Sequence, residues 1–261
     1  MKKKKIIYFI IALILVCGCG AGAAYKIYGN GPKDITEMFF DPDSREYIKN
    51  MTIYNDEKIE LDDYTVTLES SVYDSEVGIG YLVFAIQQND GKTDNLNKFF
   101  EKYSLIDYAG GSGREECVID GNKMYFYKGL SNTVWAPSAK DKILLEERNK
   151  AGSLYEFNLV SISNTKKFEF DKEIVILSPM GIRINRDEFV KPETVILKYN
   201  DGTEDKVIVK EGTSLLGGED GGGIGGETGN YAYIALFKNI MDIKNVESVI
   251  IDGNEYKTVT E

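Results

Sequence analysis

The chain has 261 residues, 43% of them hydrophobic and 28% charged, enough apolar material to hold a fold by its core. It carries 42 acidic residues against 31 basic ones, an excess that argues against nucleic acid or an anionic membrane surface as ligand, because phosphate binding relies on clustered Lys and Arg. It has no histidine, which removes Ser-His-Asp and Cys-His catalysis and His-containing zinc sites together.

Residues 1–28 read as a membrane anchor or lipoprotein signal. Lys2 to Lys5 precede an uncharged run of 19 residues, Ile6 to Ala24, which as a helix at about 1.5 Å per residue reaches roughly the 30 Å of a bilayer core. The lysines stay cytoplasmic by the positive-inside rule, so the rest of the chain is exported. Three readings share that orientation. An uncleaved anchor leads, giving a single-pass cell-membrane protein with its C-terminal part extracellular, since the run is long and closes on Tyr25, Lys26 and Tyr28. A lipoprotein signal is the second, with Ile6 to Val16 as a short apolar core, Val16-Cys17-Gly18-Cys19 as the processing box and Cys19 carrying the lipid; Cys17 is an unusual occupant of its place. Cleavage after Ala23 or Ala24 is the third.

Residues 29–52 read as a tether, rich in Gly, Pro and Asp around Pro32, Pro42 and Phe39-Phe40. Residues 53–164 then read as a β-rich extracellular domain. Tyr64-Thr65-Val66-Thr67-Leu68 alternates, Tyr81 to Ile86 is a short apolar run, and Asp74 to Glu76 connects them. Asn95 to Tyr103 is a helical candidate with Leu96, Phe99 and Phe100 on one side. A hairpin is expected from Cys117 to Lys128 around Asp120-Gly121-Asn122. Cys117 is the one cysteine beyond the membrane segment, so it forms no disulfide within the exported part; its carboxylate-rich setting disfavours a thiolate, and it reads as a strand residue. Ser153 to Ile162 alternates as a further strand, and Ser163-Asn164-Thr165 marks a boundary.

Residues 165–261 form the second unit. Strands are expected over Phe168 to Phe170, Ile174 to Leu177 and Gly181 to Ile184. The clearest hairpin runs from Val195 to Tyr199, through Asn200-Asp201-Gly202, to Lys206 to Lys210. Tyr231 to Phe237 and Val249 to Ile251 follow, and Asp252-Gly253-Asn254 turns the chain into Tyr256 to Val259. The whole reads as mainly β: an N-terminal membrane helix followed by two β-sandwich (immunoglobulin-like) domains.

The segment Ile59 to Asp74 (IELDDYTVTLESSVYD) resembles the start of an uncharacterised extracellular domain common in Gram-positive bacteria, which often follows a single membrane helix in proteins resembling anti-sigma factors. Ile174 to Ile184, centred on Leu177-Ser178-Pro179-Met180-Gly181-Ile182, is similar to the opening of the immunoglobulin-like domain that often follows it. The two cover most of the exported chain, and neither contains a catalytic motif. With Met1 to Lys5 alone ahead of the apolar run, this sequence is expected to carry no cytoplasmic domain that holds a sigma factor.

Other motifs carry little chemistry. The glycine-rich stretch Leu216 to Gly229 lacks the Lys-Ser or Lys-Thr of a phosphate loop and places Glu219, Asp220 and Glu227 where a phosphate would sit. Its carboxylates match no calcium-loop spacing, so it reads as an inter-strand loop. The pairs Asp62-Asp63, Glu115-Glu116 and Glu146-Glu147 are adjacent, and neighbours on a strand point to opposite faces, so no shared acid/base site is suggested. In Tyr125-Phe126-Tyr127, alternation makes Phe126 core and its neighbours outward, or the reverse; with Trp135 such rings could offer flat faces to a sugar or peptide, and packing is the favoured reading.

The expected function is a non-enzymatic membrane-anchored extracellular binding or sensing module of a bacterial cell envelope, with an envelope protein or wall polymer as partner and no nucleic acid, cofactor or metal. The alternative is a wall-associated hydrolase or a solute-binding lipoprotein with an unrecognised site; the lack of long βαβ units counts against the solute-binding form. The mass of the membrane-extracted protein discriminates the three N-terminal readings: a retained Met1 is expected, whereas a lipid on Cys19 or a free Tyr25 would replace that reading.

Overall fold

The computed structural model describes residues 34–40, 42–106, 116–131, 141–150, 152–162, 164–186, 190–209, 215–218 and 231–259. The anchor candidate with Cys19, residues 219–229 of the glycine-rich stretch, Glu115 and Trp135 lie outside the described residues. Among the described residues no helix is long and apolar enough to cross a membrane.

The described chain opens with two short helices, α1 (Ile35–Phe39) and α2 (Pro42–Lys49). Asp34 caps α1 by accepting the Glu37 N–H at 2.9 Å, and Pro42 suits the first position of α2, where an N–H would be unpaired anyway. Ile35, Met38, Phe39, Phe40 and Ile48 are buried. This corrects the tether expected over residues 29–52: its described part is packed, because apolar residues three and four apart give the pair one sticky side. Truncating a fully buried Ile in such a place costs about 2–5 kcal/mol.

Antiparallel β-structure fills most of the remainder. The first sheet contains β1 (Ile53–Glu60), β2 (Tyr64–Asp74), β3 (Ile79–Gln88), β5 (Glu116–Asp120) and β6 (Lys123–Ser131), in the order β1-β2-β3-β6-β5. A 3₁₀ turn (Leu96–Lys98) runs into α3 (Phe99–Lys102), so the helical candidate forms as one short compound turn before β4 (Tyr103–Ile106). β4, β7 (Lys142–Glu147) and β8 (Leu154–Asn158) make a second sheet in the order β4-β7-β8. The strand expected over Ser153 to Ile162 is thus shorter, and Ser161 instead makes a parallel bridge to Tyr73.

The first two sheets enclose one core. Val66, Leu68, Phe84, Phe126, Leu145 and Phe157 meet there, with the Phe84 and Phe157 rings 5.3 Å apart. A bulge between Leu68 and Ser70 shifts the phase of β2, so that Val66 and Leu68 before it, and Tyr73 after it, face the same interior. Phe126 points into this core. Tyr125 and Tyr127 point the other way into a second cluster, Tyr127 buried and Tyr125 partly so, in line with the packing reading rather than with rings offered to a ligand.

The third sheet holds β9 (Lys166–Phe170), β10 (Glu173–Ser178), β11 (Gly181–Arg186), β12 (Val195–Tyr199), β13 (Glu204–Lys206), β14 (Leu215–Gly218), β15 (Tyr231–Leu236), β16 (Val246–Ile251) and β17 (Asn254–Thr258), ordered β13-β12-β16-β17-β9-β10-β11-β15-β14. Asp252 and Gly253, with φ of 51° and 88°, form the tight β16–β17 turn. A bridge from Val209 to Phe237 brings the two sides of this sheet together around Phe168, Leu177, Ile182, Leu197, Val249 and Tyr256.

The second cluster joins everything. Val72, Ile79, Tyr81, Val83, Val118 and Tyr127 on the outer face of the first sheet meet Met180, Ala232, Ile234 and Leu236 of the third sheet and its β10–β11 turn, and the helix pair packs into the same seam. The boundary read near Ser163-Asn164-Thr165 is therefore crossed in space by a shared core. Gly80 and Gly181 permit the approach. A Cβ on Gly181 would fall against the Ala235 carbonyl oxygen and within 2.5 Å of Ile79 Cδ1, and one on Gly80 would lie 2.7 Å from the Val72 carbonyl oxygen. Gly181→Ala is expected to lower unfolding free energy by about 1–3 kcal/mol, the usual range for overpacking, as read from urea denaturation midpoints.

Candidate functional site

At one end of the first sheet the β1–β2 turn, the end of β3 and the compound turn at 95–102 enclose an open groove of about 660 Å³. The Leu61 N–H donates to the Tyr64 carbonyl at 2.8 Å and closes the β1–β2 turn. Asn89 ties that turn to β3: its backbone N–H donates to Asp63 O at 3.0 Å, and its amide Nδ2 donates to Leu61 O at 2.8 Å and Asp62 O at 3.2 Å. Its Oδ1 accepts from Thr65 Oγ1 at 2.9 Å. The floor is held in the same way. Gln88 Oε1 accepts the Asn95 N–H at 2.9 Å, and the Tyr64 hydroxyl donates to Asn95 O at 2.8 Å.

The charged part centres on Lys102, whose Nζ lies 3.1 Å from Asp63 Oδ2, 3.9 Å from Glu147 Oε1 and 5.3 Å from the centre of the Tyr103 ring. The Asp63 hydrogen bond holds the Lys102 ammonium well above its ordinary range, with Tyr103 adding to it, so the amine is charged and no nucleophile at neutral pH. Burial raises Tyr64 and Tyr103, which keeps both phenols protonated. Asp62, Asp90, Lys98, Glu101 and Asn149 complete the rim. The groove thus offers hydrogen-bond donors and acceptors around the fixed Lys102, with Lys98 exposed at its edge, a surface suited to a hydroxyl- or amide-bearing ligand.

Among the paired carboxylates, Asp62-Asp63 sits in the β1–β2 turn rather than on a strand, so strand alternation does not separate the two and both line the groove. Asp63 is engaged by Lys102. Glu147 also meets Lys150 at 3.7 Å. Among the described residues no group of three or more His, Cys, Asp or Glu side chains could hold a metal ion. Cys117 is buried on β5 facing the first core, in line with its reading as a strand residue. Of the glycine-rich stretch only Leu215 to Gly218 is described, as β14. The groove residues Gln88, Asn89 and Asn95 were not singled out in the sequence. Their signal was the polar run Gln87 to Asp90 closing an apolar strand, which reads equally as an ordinary turn.

A second open groove, of about 590 Å³, lies between the β12–β13 hairpin and residues 239–245. Tyr199 lines it, its phenol pushed up to about 12 by burial and then by the neighbouring Asp205. Asp201 is lowered because the Thr203 hydroxyl, at 2.6 Å, and the Thr203 N–H, at 2.9 Å, both donate to it.

The seam between the two halves carries a buried carboxyl, Asp74, at the end of β2. Oδ1 accepts the N–H groups of Glu76 at 3.0 Å and Val77 at 3.1 Å. The Ser178 hydroxyl across the seam adds stabilisation, although Oδ2 has no donor in full hydrogen-bonding geometry. Burial outweighs these bonds and raises the carboxyl above its ordinary value.

No family model matches the chain, and no curated protein matches it. Among solved structures, that of the conserved domain protein from Bacillus anthracis is similar at a TM-score of 0.37 and 14% identity, covering 85% of this chain and 81% of that one. A likeness of that degree carries no argument about function.

The raised Asp74 sets a pH dependence. Folding holds its proton more tightly than the unfolded chain does, so its contribution to stability is complete below the unfolded pKa and is lost as pH rises through the higher folded value. Asp74→Asn keeps an acceptor for the two N–H groups and does not titrate. The stability difference is expected to move in favour of Asp74→Asn as pH rises from about 3 to about 7, measured by urea midpoints across that range.

Proposed function

We propose that this protein is a non-enzymatic binding or sensing module, held at the outer face of a bacterial membrane by residues 1–28 and presenting its β-units to the cell envelope. The units are read as two β-sandwiches, the second of immunoglobulin-like build. The resemblance of Ile59 to Asp74 and of Ile174 to Ile184 to extracellular domains of Gram-positive membrane proteins supports the location.

The observation that carries the binding role is the groove at 61–64, 88–95 and 98–102. Its framework is tied by backbone and amide hydrogen bonds, so it is pre-formed and loses little freedom on binding. Its rim leaves Asp62, Asp90 and Asn149 exposed to hydrogen-bond a polyhydroxylated or amide-rich polymer, and its lining sets four carboxylates, Asp62, Asp63, Asp90 and Glu101, against two lysines, Lys98 and the paired Lys102. The expected ligand is therefore a wall polymer rather than a free anion.

Binding of the full chain in bilayer nanodiscs to isolated cell walls tests this. Replacing Asp62 and Asn149 together by Ala is expected to weaken retention about ten-fold, the equivalent of one well-placed polar contact, with the urea midpoint unchanged. Equal retention of the native and substituted chains would remove the groove from the reading, and turnover of a wall substrate by the native chain would replace binding by hydrolysis.

A further inference from the structure

The helix pair occupies an unusual position for a segment expected to be a spacer. It lies between the N-terminal residues read as the anchor and the first strand, and it fills the seam through which the two halves of the molecule share a core. Ile35 and Ile48 have no exposed surface, and the rings of Phe39 and Phe40 stand 4.6 Å and 4.7 Å from the ring of Tyr81 on β3. Phe39 also meets Tyr127 on β6, at 6.3 Å. Polar ties reach the other half and the connection between them: the Ile240 N–H donates to Ser44 Oγ at 3.4 Å, and Asn164 Nδ2 donates to the Tyr47 hydroxyl at 3.2 Å.

The mode of attachment differs from that of every strand. β2 and β3 are joined by a ladder of ten residue pairs, and β3 and β6 by nine. Among the described residues no ladder reaches residues 34–50, which pack by their side chains and make the two long polar contacts just named. Under tension along the chain, a ladder resists through many backbone bonds loaded together, whereas a packed helix gives way contact by contact. The element of least resistance is also the one nearest the anchor.

We propose that residues 34–50 form a force-sensitive latch. Tension between a membrane-held N-terminus and an engaged β body draws α1 and α2 out of the seam while the sheets stay folded, uncovering Val72, Tyr81 and Tyr127 on one side and Ile234 and Leu236 on the other. The proposal rests on the anchored reading for the origin of the tension. The latch itself is a property of the packing and is tested independently of it.

The experiment is single-molecule extension of the full chain in a nanodisc, pulled from a C-terminal tag. The expected record shows a first event that releases about 65 Å of chain, the extended length of residues 34–52 at about 3.3–3.6 Å per residue, well before any larger event. Ile48→Ala is expected to lower the force of that first event and leave the later ones unchanged. A disulfide between cysteines introduced by Ser44→Cys and Ile240→Cys is expected to shorten it to about 35 Å, the length of residues 34–43 ahead of the bridge at about 3.3–3.6 Å per residue, until reductant restores the full release. Rupture of helices and sheets in a single event, or an Ile48→Ala effect spread equally over all events, would overturn the latch. If the nanodisc fails to retain the chain, the anchor reading fails instead, and the same records taken with handles at residues 30 and 261 still decide the latch.

Discussion

Burial of both faces of the first sheet is the constraint on which the rest of this structure depends. An antiparallel sheet commonly keeps one face wet and shows clean alternation. Here β3 is buried at nearly every position, because Leu82, Phe84 and Ile86 feed the core shared with β4, β7 and β8 while Ile79, Tyr81 and Val83 feed the seam. Neither half of the molecule can shield that second face alone. The third sheet supplies Ala232, Ile234 and Leu236, the helix pair supplies Ile35, Phe39 and Ile48, and Gly80 and Gly181 let the layers close.

The polar groups are arranged around that apolar frame. Asp74 is driven into the seam at the end of β2 and stays tolerable because two backbone N–H groups and the Ser178 hydroxyl face it. At the opposite end of β2, where Tyr64 begins the strand, the chain turns outward, and Asn89, Gln88 and Tyr64 spend their hydrogen bonds on building a groove rather than on filling a core. One strand pair thus meets the seam at one end and the groove at the other.

Much of the architecture was legible before the structure. Hairpins centred on Asp120-Gly121-Asn122, Asn200-Asp201-Gly202 and Asp252-Gly253-Asn254 form where their turn residues place them, because such turns need local φ values that few residues tolerate. The helix pair at 35–49 was missed because Gly and Pro nearby signal a linker, and the burial that stabilises it comes from strands some thirty to two hundred residues away in sequence. The groove was missed for a related reason: Gln88, Asn89 and Asn95 look like turn residues one by one, and they become a surface only when β1, β3 and α3 converge.

What the sequence by itself determined is local: strand periodicity, turn chemistry, the absence of imidazole and the apolar run from Ile6 to Ala24. What only the tertiary structure decided is which faces meet. Alternation at Tyr125-Phe126-Tyr127 tells that the rings point two ways, and nothing local tells that both ways lead to burial. Period-two patterning encodes the direction of a side chain, whereas the layer that covers it is set by long-range packing of the whole chain.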